Sequence, residues 1–425
     1  MTDTLFNPEQ PLALRELPLE APPSVRDQIA AVGCGEDLCF RSDGCCLALA
    51  DYKGCGVVFF KFNRVDSEAG PRIVLSQAVR LTSPELIDPH GLTFLDDHHL
   101  AVGNRSGDLV IYRLGEDHNG LPDSLAPLKI IPCGEGLLLH GPGSLDARAL
   151  SPDCYELLVC SNWSDSVGRF LLDITDGIRV LAEDLLLRRW IDLPDGIHIA
   201  PQGRWVATSS HCTQSVLLHD ADEGISPHTD PQGVLRGLAY PHGIHFSHDG
   251  KFILVADAGA PYVHIYHRSD GDWRGIHDPI LSALTMEESL FRRGQINPQE
   301  GGPKGLAIDP SGRVLVTCCK LQPLAFFDLG GFMASFDCPP GLHEIAFPGR
   351  DQPEVGSLSV RLELERQQRL AASAHQLAEN QEHLHRSNRS CEHLARQLEA
   401  ILRSRSWGLT APLRWTSRRL GRLRW

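Results

Sequence analysis

The constraint that dominates this chain is a phrase it repeats. Pro241-His242-Gly243-Ile244-His245-Phe246 leads into the turn Ser247-His248-Asp249-Gly250, an apolar run at 252–256 and a second run at 262–266. Variants stand at Pro89-His90-Gly91-Leu92-Thr93-Phe94, Pro194-Asp195-Gly196-Ile197-His198-Ile199 and Pro303-Lys304-Gly305-Leu306-Ala307-Ile308. Fainter copies lie at Leu145-Asp146-Ala147-Arg148-Ala149-Leu150 and around Glu36. The turns carry Asp-Gly or Ser-Gly, where glycine tolerates positive φ, and the runs between them are rich in β-branched and aromatic residues. A strand–turn–strand–strand unit returning every ~40–60 residues cannot bury its apolar faces alone, and copies stacked around an axis make a β-propeller. The predicted fold class is therefore all-β, a β-propeller.

One polar residue precedes each inner strand: Glu36, His90, Asp146, Asp195, His242 and Lys304, with a further candidate, His343, in His343-Glu344-Ile345-Ala346-Phe347. This favours seven blades, with six as the alternative. The seventh unit is cut short by a change of character after residue 350. Its outer strands are expected from the N-terminus, at 12–17 and 28–32, a closure that removes an exposed sheet edge. The long connection at 269–302, with a helix expected around 279–293, reads as a lid over one face or as an insertion. The expected organisation is an N-terminal arm at 1–32, the propeller at 33–350, a helix or weak coiled coil at 351–403 and a basic tail at 404–425.

Leu370, Leu377, Leu384, Cys391 and Leu398 fall seven apart in a stretch without Pro or Gly from 357 to 407, which predicts a helix with a heptad stripe. The seam also holds Gln367, Gln381 and Asn388. So polar a seam points to a weak coiled coil, a homodimer through 358–402, or else to a single helix lying along the propeller. After position 402 there are seven arginines and no acid, interleaved with Trp407, Trp415 and Trp425. That composition suits an anionic membrane surface, where each basic residue is worth on the order of 1 kcal/mol; a protein-docking tail is the alternative. The rest of the chain then carries the whole formal charge of −14 and seven negative charges more, which argues against nucleic acid as its partner.

No run of about 18 apolar residues exists and the N-terminus lacks a signal-peptide pattern, so the expected location is cytoplasmic, peripheral at the inner face of the membrane. The 13 cysteines are odd in number and show no Cys-x-x-Cys spacing; Cys46, Cys160, Cys212, Cys318 and Cys319, in or beside second strands, read as small buried hydrophobes, and the compartment as reducing.

The phrase at 241–268, with Pro241-His242, Ser247-His248-Asp249-Gly250 and Asp257-Ala258-Gly259, resembles the seven-bladed lactonase group of propellers, to which 6-phosphogluconolactonase-like proteins belong. The likeness is good over that blade, fair over 90–114 and 303–328, and weak elsewhere. It implies the propeller fold and, as an activity, hydrolysis of a sugar lactone. The segment Ser404-Arg405-Ser406-Trp407-Gly408-Leu409-Thr410-Ala411-Pro412-Leu413-Arg414 resembles an element of bacterial surface-polysaccharide glycosyltransferases and methyltransferases, with Gly408 where Arg is usual. It implies partners among the enzymes of polysaccharide assembly.

The polar residues ahead of the inner strands are expected to converge on one mouth of the channel. Histidines and carboxylates together suit a divalent metal, for which Glu36, His90, Asp146, Asp195 and His242 are the candidate ligands. Without a metal, His90, His242 or His343 is the candidate general base and Lys304 the oxyanion or anion-binding group. Glu36, Asp146, Asp195 and His242 are the candidate contacts to a carbohydrate or sugar-lactone ligand. The competing reading of the same ring is structural, with histidines bonding a neighbouring blade and lining a watery channel. His198, His245, His264 and His267 lie in strands and are expected to be satisfied or at the surface. No P-loop and no Gly-x-Ser-x-Gly elbow is present, and Asp96-Asp97 and Asp220-Ala221-Asp222 read as turns. The residues thus point to a binding or interaction module in cell-surface polysaccharide assembly, with a lactonase-like hydrolase as the alternative.

Overall fold

A computed structural model describes residues 14–116, 120–295, 299–336, 360 and 363–368. Among them, six sheets are arranged radially. Their innermost strands are Gly35–Phe40, Pro89–Asp96, Pro142–Ser151, Ile197–Ile199, Pro241–Phe246 and Gly305–Ile308, in blades 1 to 6. Each inner strand touches those of both neighbouring blades, and the sixth touches the first. The ring is therefore closed by six blades, and the favoured count of seven is corrected. His343, the supposed start of a seventh, lies outside the described residues.

The repeated glycine explains how six strands crowd one axis. A methyl group at Gly243 would stand 2.7 Å from the Lys304 carbonyl oxygen of the next blade, and the Gly243 N–H donates to that same oxygen at 2.9 Å. Gly91 faces Gly143, Gly196 faces His242 and Gly305 faces Glu36 in the same way, backbone against backbone. Glycine is required here for close approach. Blade 1 carries Asp37 at the equivalent place, and its carboxylate takes the Leu92 N–H of blade 2 at 3.3 Å.

A second device recurs at the end of the second strand. There a short polar side chain clamps the backbone N–H of the loop that enters the inner strand. Asp51 accepts from Gly33 and Cys34, Asn104 from Ile87, Ser161 from His140, Ser210 from Asp192, and Asp257 from Ala239 and Tyr240. Buried backbone donors need such partners. The loops at this face are thereby fixed, and so are the residues that project from them. Between blades the cores are apolar: Val57 and Phe59 of blade 1 pack with Val102 and Tyr112 of blade 2.

Sheet 6 has three strands of its own, ending in Ala325–Asp328. The N-terminal segment lies beside the last of them: Leu17 N–H donates to Phe326 O at 2.7 Å, and Asp328 N–H to Arg15 O at 2.8 Å. The stretch at 28–32, expected as a strand, instead belongs largely to the helix Pro23–Ala30, which starts with proline at its first position, where the missing N–H costs nothing. Much of the connection at 269–302 is built into the sheets. Gly275–His277 pairs in parallel with the edge of blade 4, Leu281–Leu284 is the fourth strand of blade 5, and the helix shrinks to Glu288–Gly294.

Val360 and Leu364 are buried in the core between blades 3 and 4, with Leu187 and Val234. Residues 369–425 form a separate unit outside the described residues, so the heptad stripe, the basic tail and most of the 358–402 segment lie there. No helix among the described residues is long and apolar enough to cross a membrane. The 11 described cysteines are all free thiols; Cys46, Cys160, Cys318 and Cys319 are buried.

Candidate active site at the channel mouth

Five of the predicted ring residues do meet at one mouth. Glu36, His90, Asp195, His242 and Lys304 are each buried, between 2 and 6% exposed. His90, Asp195 and His242 arrive there pinned between a clamped loop and the glycine that packs on the next blade, Lys304 is fixed by the glycine after it, and Glu36 by the clamped loop before it. Asp146 is not among them. Leu145 holds the packing place that Leu92 and Ile244 hold in their blades, opposite the same residue of the second strand. The mouth position in blade 3 is therefore Gly143, and Asp146 lies three residues deeper. There it bridges two blades, accepting from Ala147 N at 2.8 Å and Ile199 N at 2.7 Å.

Two side chains that sequence reasoning passed over complete the mouth: Arg105 and His211. Each directly follows a loop-clamping residue, Asn104 and Ser210, and that adjacency is the signal that would have found them. Tyr52 and Asn162 follow Asp51 and Ser161 in the same way.

The groups divide into two networks. In the first, Lys304 Nζ donates to both Glu36 oxygens at 2.9 and 2.8 Å and pairs with Glu300 at 2.7 Å. Burial works against the Lys304 charge, yet the two carboxylates outweigh it and raise its pKa. All three of its protons are spent on carboxylates, so the expected oxyanion role does not fit it. Glu36 also accepts from the Cys34 thiol at 3.3 Å.

In the second network Asp195 is the hub. Arg105 Nη2 donates to Asp195 Oδ1 at 2.7 Å and lies 2.7 Å from His90 Nε2. A guanidinium only donates, so His90 Nε2 is the acceptor and its proton sits on Nδ1, 3.6 Å from Asp195 Oδ1. Burial, reinforced by Arg105, holds the His90 pKa well below its usual value. His90 is thus neutral with its lone pair engaged, which removes it as a base. His242 Nδ1 lies 3.0 Å from Asp195 Oδ2, so its N–H points to the carboxylate and Nε2 carries the free lone pair. Burial pushes the Asp195 carboxyl up, but His90, His242 and Arg105 outweigh it and hold it well below the usual carboxylate range.

His211 stacks on Tyr240 with ring centroids 3.9 Å apart and lies 4.7 Å from the His242 ring. Burial, then His242, lowers it to about 3. Neither of its nitrogens, nor His242 Nε2, has a hydrogen-bond partner among the described residues. Buried polar atoms are rarely left so.

Could a metal sit here? Asp195, His211 and His242 offer ligand atoms within 4.8 Å of one another. Asp195 Oδ2 is 3.0 Å from His242 Nδ1 and 3.6 Å from His211 Nε2, which brackets the ~3.3 Å edge of a tetrahedron with bonds of about 2.0 Å. These three fit a four-coordinate ion. Glu36 and His90, engaged by Lys304 and Arg105, do not belong to that set, and neither does Asp146.

No protein-family model and no curated protein matches the chain. Among solved structures it is similar to a protein of unknown function from Desulfotomaculum acetoxidans DSM 771, with 14% identity, 70% of this chain and 83% of that one covered and a TM-score of 0.44. A putative 6-phosphogluconolactonase from Bacteroides fragilis NCTC 9343 is similar at 14% identity, 67% and 76% coverage and a TM-score of 0.39. A periplasmic gluconolactonase of Pseudomonas aeruginosa is similar at 15% identity, 67% and 77% coverage and a TM-score of 0.44.

Proposed function

We propose that the protein is a hydrolase of sugar lactones, with His242 as the general base. The observation that carries this reading is the Asp195–His242 pair, in which Nδ1 is fixed on a carboxylate and Nε2 is left unpartnered in a polar mouth. Water placed at Nε2 loses its proton to the imidazole as its oxygen attacks the lactone carbonyl. The imidazolium then gives that proton to the ring oxygen as the C–O bond breaks, yielding the open hydroxy acid. Asp195 keeps the imidazole in the required tautomer and stabilises its charge. His211 is neutral and has one N–H with no partner among the described residues, the group suited to meet the oxygen that becomes negative. Arg105 and the Lys304–Glu36–Glu300 network hold this frame and stay out of the chemistry.

If a divalent ion is bound, Asp195, His211 and His242 would hold it, His242 Nδ1 then being a ligand instead of a donor to Asp195, and it would supply a more acidic water and a polarised carbonyl. The other expectation, a binding module in polysaccharide assembly carried to the membrane by 404–425, rests on the residues outside the described part; no contact at the mouth favours it.

The test is turnover of a panel of sugar lactones, phosphorylated and not, by the full chain and by His242→Gln. The expected result is hydrolysis by the wild type and a loss of about 10²–10⁴-fold in the variant. Absence of turnover by folded wild type across the panel, or turnover indifferent to His242→Gln, overturns the reading.

A further inference from the structure

The opposite end of the channel holds a cavity of about 420 Å³, reached by all six inner strands. Three residues beyond the mouth ring, each strand places a second residue: Cys39, Thr93, Asp146, His198, His245 and Ala307. Asp37 also lines it. Apart from the bridge that Asp146 makes between two blades, this ring has no role in the mouth chemistry.

Its polar atoms are mostly acceptors. The Asp146 oxygens each take one backbone N–H, from Ala147 and Ile199, and those of Asp37 take Leu38 and Leu92. Asp37 also accepts from the Ser144 hydroxyl; one bond per oxygen leaves lone pairs on Asp146. His245 Nδ1 lies 2.7 Å from the Phe246 carbonyl oxygen and must donate to it, which leaves Nε2 as an acceptor. His198 Nδ1 is shielded and unpartnered among the described residues. No lysine or arginine lines the cavity among those residues; His248, Ser42 and Ser144 line it too, beside an aliphatic wall that includes Leu38, Leu92 and Leu306. The two imidazoles lie against one another, centroids 3.9 Å apart. Their in-plane lone pairs therefore do not converge on one ion, and no set of three metal-ligating atoms gathers there among the described residues.

We propose that this cavity binds a small protonated amine with an apolar body, its ammonium group at Asp146 and His245 and its body against the aliphatic wall. A donor-rich, cationic ligand complements these acceptors, which no lysine or arginine faces among the described residues. Burial raises Asp146 to about 6 and Asp37 to about 7; a bound cation favours their ionised forms. Binding therefore releases protons and tightens as pH rises through that range.

The experiment is calorimetric titration of the full chain with benzylamine, benzyl alcohol and benzoate at pH 5.5 and 8. Benzylamine is expected to bind at pH 8 at least tenfold more tightly than the alcohol, to weaken about tenfold at pH 5.5, and to leave benzoate without measurable binding. Asp146→Asn and His245→Phe are each expected to weaken the amine about tenfold. Equal binding of amine and alcohol, no binding of the amine, a flat pH dependence, or full affinity in folded variants overturns the proposal. Should either variant fail to fold, the wild-type comparison of amine with alcohol at the two pH values still decides it.

Discussion

Replacing Gly243 by alanine tests the physical reason for the repeated phrase. The new methyl stands 2.7 Å from the Lys304 carbonyl oxygen and 3.0 Å from the Leu306 nitrogen, both backbone atoms of the next blade. Neither can swing aside as a side chain would, so the inner strands must part. Overpacking of this kind costs about 1–3 kcal/mol, and stretching the 2.9 Å bond from Gly243 N to Lys304 O adds about 1 kcal/mol. Against this, alanine gains at most about 1 kcal/mol from a less free unfolded chain. The net loss is about 1–4 kcal/mol, which at about 2–4 °C per kcal/mol for a large domain lowers the melting temperature by roughly 2–16 °C. Gly136→Ala is the control, because nothing lies within 4 Å of its added methyl. Differential scanning calorimetry of both variants checks the argument. Gly243→Ala melting with the wild type and with Gly136→Ala would refute it.

Two buried histidines are also expected to cost stability in mild acid. His211 and His219 are buried, unpartnered among the described residues and lowered to about 3, chiefly by burial. Their folded pKa lies below the unfolded value, so the unfolded chain binds the extra protons: stability is whole above about pH 6.5 and is lost as pH falls toward 3. At pH 5 each of these two histidines costs about 2 kcal/mol relative to pH 7, while the raised carboxyls of Asp37 and Asp146 act in the opposite direction; the histidine effect is therefore read as a difference, and denaturation at the two pH values should show folded His219→Leu losing about 2 kcal/mol less than the wild type, an equal change in both contradicting the assignment.

The blade phrase was legible because its three parts obey separate local rules: a polar residue entering the ring, a glycine pressed on the next blade, and alternating apolar positions. What misled was ranking the polar residue above the packing. Asp146 looked like the ring member of blade 3, yet Leu145 fixes the register and puts Gly143 at the mouth. His343 suggested a seventh blade by the same preference for a charged residue ahead of an apolar run. Arg105 and His211 stayed hidden because the mouth has a second source of side chains, the turns after the second strands, where no periodicity marks them. Lys304 was rightly placed at the mouth, but Glu300, which helps to neutralise it, comes from the loop just before it in the chain and gave no sign of pairing. Chemistry depends on which lone pairs are left over, and that follows only from the partners.

Whether Asp195 acts through His242 is measured by a double-mutant cycle on lactone hydrolysis. We predict that Asp195→Asn and His242→Gln each lower kcat by about 10²-fold or more, and that the double variant, folded by circular dichroism, is no slower than His242→Gln alone. Multiplicative losses in the double variant would show two independent contributions and would contradict the dyad.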